Sequence, residues 1–215
     1  MATNPTGTAP SLVTRAKNII LSPKTEWAVI DAEPATVGGL YRNYIVILAA
    51  IPPLAMAIGL LLFGINLIIV TVRPSTSYIL ANAITQYVMG LIGVYVLALI
   101  IEALAPTFGG TKDRIQALKV AAYSYTPAWL AGILLLMPSL ALLVLLASLY
   151  CLYLLYLGLP VLMKSSPDKK GVYLAAVIVA AIVIGIVVAV VTSAVTRSFM
   201  PTPTLTAPAG YTLPG

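Results

Sequence analysis

The chain has 215 residues, 60% hydrophobic and only 8% charged, with a mean hydropathy of +1.03. Soluble globular chains carry about 25% charged residues, so this composition excludes a fully water-exposed surface and describes an all-α integral membrane protein. Histidine is absent and Cys151 is the single cysteine. Histidine-containing triads, Cys/His zinc sites, disulfides within the chain and paired-thiol chemistry are thereby excluded, and no metal or cofactor is implied.

Residues 1–10 are small, polar and proline-containing, and are expected to be disordered. Residues 11–34 read as cytosolic amphipathic helices. Leu12, Val13, Ala16, Ile19 and Ile20 share one helical stripe, with Arg15 and Lys17 off it and Ser11 as N-cap. Ser22-Pro23 restarts a helix, with Trp27 and Ile30 three apart, and Pro34 closes it. One reading is an interfacial pair on the cytosolic leaflet with Trp27 at headgroup depth, touching anionic lipid. The other is a docking surface for a partner. Lipid contact alone accounts for the pattern. Arg15, Lys17, Trp27 and Ile30 are the candidate contact residues under either, and removal of residues 11–33 is expected to spare the membrane core.

Residues 35–197 form the membrane domain. Uncharged intervals run over 43–72, 74–101, 120–163 and 171–196. About 20 apolar residues suffice to cross ~30 Å of hydrocarbon. The 44-residue interval 120–163 would be about 66 Å long as one helix, so it must hold two spans, with a turn at Met137-Pro138-Ser139. Five transmembrane helices follow, at about 44–72, 76–102, 119–137, 138–163 and 172–196. With the N-terminus inside, ten of the twelve basic residues fall on the cytosolic side, which favours N-in/C-out. The net charge of +6 is then a membrane-facing asymmetry that needs no nucleic acid. The first long apolar run starts near Tyr44, too late for a cleavable signal. Prolines at 201, 203, 208 and 214 make 198–215 a disordered outer-side tail.

Several residues in and beside the spans are candidates for function. Glu102 lies at the cytosolic end of span two, within reach of Lys112, Arg114 or Lys119. An intramembrane carboxylate is a functional candidate by default, but charge at a helix end has a structural explanation too. Asn82, Gln86 and Gly90 recur every four residues on span two, suiting interhelical packing more than a pore wall. Tyr150, Tyr153 and Tyr156 on span four, with Tyr123 and Tyr125 on span three, form a possible hydrogen-bonded cluster reaching Glu102. Glu102, Asn82, Gln86, Tyr123, Tyr153 and Tyr156 are therefore the candidate polar cluster. Ala181, Gly185, Ala189 and Ser193 form a small-residue ridge on span five, for internal packing or for a homo-oligomer. Gly109-Gly110 provides a turn and lacks the spacing of a phosphate loop.

A set of short motifs carries a resemblance. Ser22-Pro23-Lys24, Glu26-Trp27 and Glu33-Pro34-Ala35-Thr36-Val37-Gly38-Gly39 precede a proline-bearing first span, Ala49-Ala50-Ile51-Pro52. Leu104-Ala105-Pro106, Gly109-Gly110, Gln116-Ala117-Leu118-Lys119 and Ala121-Ala122-Tyr123-Ser124-Tyr125-Thr126-Pro127 follow. Tyr156-Leu157-Gly158-Leu159-Pro160 and Pro167-Asp168-Lys169-Lys170 complete the order. Over about Leu12 to Thr196 the chain resembles the bacterial branch of the Yip1 domain family, five-span proteins with a cytosolic N-terminus. Eukaryotic members act in membrane trafficking and bind Rab GTPases, with an Asp-Leu-Tyr-Gly-Pro motif ahead of the first span. Here Gly38-Gly39-Leu40-Tyr41-Arg42 stands in that place, so the Rab-linked role does not carry over, and no catalytic residue comes with the resemblance.

The resulting expectation is a non-enzymatic multi-pass protein of a bacterial inner membrane that organises or recruits other membrane proteins. The alternative is a small transporter or channel with a polar path between spans two to four.

Overall fold

A computed structural model describes residues 10–66, 71–137 and 140–199. Most of the expected disorder at 1–10 and 198–215, and Pro138-Ser139 of the expected turn, lie outside these residues. Among the described residues, apart from one two-residue antiparallel pairing, the regular structure is helical.

Helices α1 (Leu12–Leu21) and α2 (Pro23–Ala32) form a hairpin. Ser11 caps α1, its side chain accepting from the Thr14 amide at 3.3 Å. Ser22 makes no side-chain cap; Thr25 donates to its carbonyl at 3.0 Å instead, and Pro23 opens α2. Helix α3 (Val37–Phe63) starts seven residues earlier than expected, because Thr36 caps it by accepting from the Gly39 amide at 3.0 Å. It contains a π turn over Tyr41–Ile45 and breaks at Ala50, ahead of Pro52-Pro53, which donate no backbone hydrogen bond. It ends nine residues early at Gly64, whose φ of 68° suits glycine. Strands β1 (Ile65–Asn66) and β2 (Thr71–Val72) pair just beyond it.

Helix α4 (Thr76–Leu104) is continuous and runs into a 3-10 turn, Ala105–Phe108. Gly109 follows with φ 74°, and Gly110 lies so close to the chain that a Cβ would sit 2.5 Å from the Met163 carbonyl oxygen. The last two long helices are α7 (Ala141–Leu162) and α8 (Lys170–Arg197). Among the described residues, four segments are long and apolar enough to cross a bilayer: Val37–Phe63, Thr76–Phe108, Leu142–Leu162 and Pro167–Arg197.

The expected third span, 119–137, is not one continuous helix. It consists of α5 (Arg114–Ser124), α6 (Thr126–Ala131) and a 3-10 turn, Gly132–Leu136. Pro127 cannot donate to the Tyr123 carbonyl, and the ladder fails at Tyr125, whose amide reaches Ala121 at a long 3.3 Å. Every residue of α5 from Ala117 to Ser124 is buried. Its alanines and serine let α4 and α7 approach closely on both sides.

The core is concentrated at one end of the bundle. Trp27, Ile30, Leu118, Leu159, Met163 and Tyr173 are all fully buried there. Tyr173 donates to the Ile101 carbonyl at 2.5 Å, and the Thr111 amide to that of Met163 at 2.7 Å, joining α8, α4 and α7 at this end. At the opposite end Ser75 donates to the Phe199 carbonyl at 3.2 Å, and Gly59 packs on the Leu135 and Leu136 carbonyls. Large apolar side chains there, including Leu62, Leu142 and Val190, face outward.

Candidate functional site

The charged end is built around α1 and α2, which are docked into the bundle rather than resting beside it. Trp27 is 0% exposed and its ring lies over Gly158 of α7, where a Cβ would come within 2.8 Å. Only glycine leaves room for the indole. Trp27 also meets the Tyr123 ring edge to face at 6.5 Å, although its Nε1 has no hydrogen-bond partner among the described residues. Ile30 and Ile19 are likewise 0% exposed. The Tyr150 hydroxyl donates to the Ile20 carbonyl at 2.6 Å, fastening the end of α1 to α7.

Two buried cations organise the interior. Arg15, 3% exposed, donates one guanidinium nitrogen to Glu26 and another to Glu33, and its charge lies 5.6 Å from the centroid of the Tyr123 ring. Burial works against this charge, but the hydrogen bond and attraction of Glu33, aided by Tyr123 and Glu26, outweigh it and hold the Arg15 pKa above its ordinary value. Lys119, 2% exposed, donates to the carbonyls of Ile30 at 2.8 Å and Glu33 at 2.6 Å. It thereby satisfies the C-terminus of α2, where unpaired carbonyls and the helix dipole favour a cation. Gln116 donates to the Asp31 carbonyl at 3.1 Å, and Lys164 pairs with the Asp31 carboxylate.

Arg15, Lys119, Tyr123 and Tyr44 line a cleft of about 580 Å³ between α1 and the start of α3. Tyr44, within the π turn, is turned inward with its hydroxyl 2.7 Å from Thr126 Oγ1, while Tyr41 donates to the Leu91 carbonyl at 2.8 Å. Tyr44 and Tyr123 rings meet edge to face at 4.8 Å.

The expected contact residues are therefore redistributed. Lys17 is exposed, but Arg15, Trp27 and Ile30 face the interior, because α2 packs on α7 and buries the face expected to meet the leaflet. The expected polar cluster is not brought together. Glu102, 8% exposed, accepts from Arg114 Nε at 2.9 Å. Gln86 donates to Asn82 at 2.8 Å, one turn away on the same helix, and lies 3.6 Å from Met56 Sδ. Tyr153 is exposed against Tyr150, and Lys170 Nζ stands 4.8 Å from the Tyr156 ring centroid. Tyr123 alone belongs to the cleft. On the ridge, Ala181 is half-buried while Gly185, Ala189 and Ser193 face outward, and a Cβ on Gly185 would meet nothing within 4 Å. Helix α8 instead meets α4 where Gly93 faces Ile184.

Sequence reading overlooked Glu26, Glu33 and Tyr44, and placed Lys119 only as a cation within reach of Glu102, whereas Arg114 takes that place. One signal was present: Lys119 stands alone between Leu118 and the apolar run Val120-Ala121-Ala122, where a surface lysine has no water to face. Glu26 and Glu33, seven apart, place two carboxylates two helical turns from each other, but nothing local names Arg15 as their partner.

The family model for the Yip1 domain matches residues 17–189. The chain belongs to the Yip1 domain family, and its apolar helices make it a membrane protein. No curated protein matches it, and no solved structure does.

Proposed function

We propose that this Yip1-domain protein crosses a bacterial cytoplasmic membrane five times, N-in and C-out, and recruits or organises other membrane proteins at its charged end without catalysing a reaction. The observation that carries the reading is the gathering of ten of the twelve basic residues at one end of the bundle, with Lys17, Lys24, Arg42, Lys112 and Lys164 exposed. Such an asymmetry faces the cytosol and anionic lipid. The fifth crossing is supported by the path of the broken segment. It starts at Arg114 beside Glu102 and ends at Leu136 against Gly59, near the far end of α3. The break at Tyr125 is tolerated because the residues flanking it, 117–124 and Thr126-Pro127, are enclosed by protein. The transporter reading gains no support, since Asn82 and Gln86 bond to each other and Glu102 pairs with Arg114 well away from them.

Lys17→Glu and Lys24→Glu together test the recruiting surface, because both side chains are exposed and the fold does not use them. Co-purification of the native-level protein in mild detergent is expected to yield a stoichiometric membrane partner that the double variant loses. Retention of that partner, or a wild-type preparation with none, overturns the reading.

A further inference from the structure

A second depression adjoins the cleft beside Arg15, with Leu12 between them. The first is lined by Arg15, Lys119, Tyr123, Asn43 and Glu33, and Leu12 stands at its edge. Leu12 also begins an apolar groove of about 360 Å³ that follows α1 past Ala16 and Ile20 to Leu130 of α6. Polar floor and apolar groove thus share one residue and lie at the end of the bundle where the helices enter the membrane. We infer that these two adjoining depressions together hold one phospholipid, its phosphate in the cleft and one acyl chain along the groove.

Two observations favour that occupant. They do not include net charge, because Arg15 and Lys119 are balanced by Glu33 in the lining and by Glu26 bonded to Arg15 behind it. The N-termini of α1 and α3, marked by Ser11 and Thr36, both open on it and add partial positive charge. Donors are also held in place. Lys119 uses two of its three N–H groups on carbonyls, and the Tyr123 hydroxyl bonds to no other described residue. Arg15 and Lys119 are 3% and 2% exposed, so these charges are fixed by the fold and pay little ordering entropy on binding. The groove accounts for the one acyl chain, since Val13 and Leu21 on its rim are 73% and 67% exposed.

The inference rests on the proposed placement of the charged end at the headgroups, but its test depends on neither topology nor a protein partner. The purified full-length protein in detergent is titrated with dihexanoyl phosphatidic acid, dihexanoylglycerol and glycerol 3-phosphate, and binding is read by native mass spectrometry. The phosphatidic acid is expected to bind at least about tenfold more tightly than either fragment. Tyr123→Phe removes one donor to a charged group and is expected to weaken it about tenfold. Asn43→Asp, at an exposed position, sets a like charge against the phosphate and acts in the same direction, while Val13→Glu weakens the lipid without affecting glycerol 3-phosphate. Equal binding of dihexanoylglycerol overturns the phosphate site, and equal binding of glycerol 3-phosphate overturns the acyl groove. Unchanged affinity in both Tyr123→Phe and Asn43→Asp removes the cleft from consideration.

Discussion

At the residue scale, the charged end depends on two cations that are almost fully buried. Arg15 is flanked by Glu26 and Glu33, and Lys119 by the carbonyls that end α2. Removing one member of a buried ion pair strands the other, a loss of about 3–5 kcal/mol. Arg15→Met is therefore expected to lower the thermal midpoint in detergent strongly, and adding Glu26→Gln to recover part of the loss. No recovery in the double variant means that packing of the arginine stem, not the pairing, is what matters. Lys119→Met leaves two carbonyls without their donor and should lose about 1–3 kcal/mol. Gly158→Val drives a side chain into the Trp27 ring, 2.8 Å from where the first carbon must sit. Overpacking of this kind costs about 1–3 kcal/mol. In a Trp129→Phe background, the emission of Trp27 is expected to shift red as its ring is pushed toward water.

At the element scale, the hairpin of α1 and α2 is part of the core and not an appendage. Trp27, Ile30 and Ile19 are fully buried against the bundle, and Lys119 loses its acceptors without α2. Deletion of residues 11–33 is therefore expected to destabilise the whole protein, contrary to a sequence reading that treats the segment as peripheral. Membrane-fraction yield and protease resistance measure this, and a fully stable deletion variant contradicts it. The broken α5–α6 segment makes its own demand at the far end. Gly59 meets the Leu135 and Leu136 carbonyls and Gly132 meets Pro52, each too closely for a Cβ. Gly59→Val should separate α3 from this segment and lower the thermal midpoint, whereas Gly185→Val, which meets nothing within 4 Å, should stay within about 0.5 kcal/mol of wild type. A large effect at Gly185 that coincides with loss of a crosslinked dimer assigns the α8 ridge to an interface between copies.

At the scale of the whole molecule, packing and charge divide the bundle into two unlike halves. The charged end carries Trp27, Ile30 and Met163 fully buried and the hydrogen bonds of Lys119, Tyr150 and Tyr173, while the opposite end shows outward-facing leucine and valine. Lipid can cover that apolar half, so close packing there gains less than it does near water. Labelling of single cysteines checks the orientation in a Cys151→Ser background. Lys17→Cys is expected to react with an impermeant maleimide only after the membrane is opened, and Ser198→Cys to react in intact spheroplasts. Labelling of both from one side indicates an even number of crossings, with the α5–α6 segment returning to the face it left.

The chain alone determined that this is a helical membrane protein, which faces carry the charge and which family it belongs to. Hydropathy and charge are sums over local residues, and the bilayer reads them nearly independently of packing. The ends of α3, the break at Tyr125 and the inward face of α2 depended on more. An early cap at Thr36, a left-handed glycine at 64 and a proline at 127 leave marks in the sequence that apolar counting passes over. The cleft was beyond local reading altogether. Arg15 looks like a surface charge in any short window, and the apolar run after Lys119 hints at burial without naming a partner, because the partners lie 11, 18, 86 and 89 residues away. Only the docking of α2 between α5 and α7 removes water from both cations and supplies the carboxylates and carbonyls that make burial tolerable.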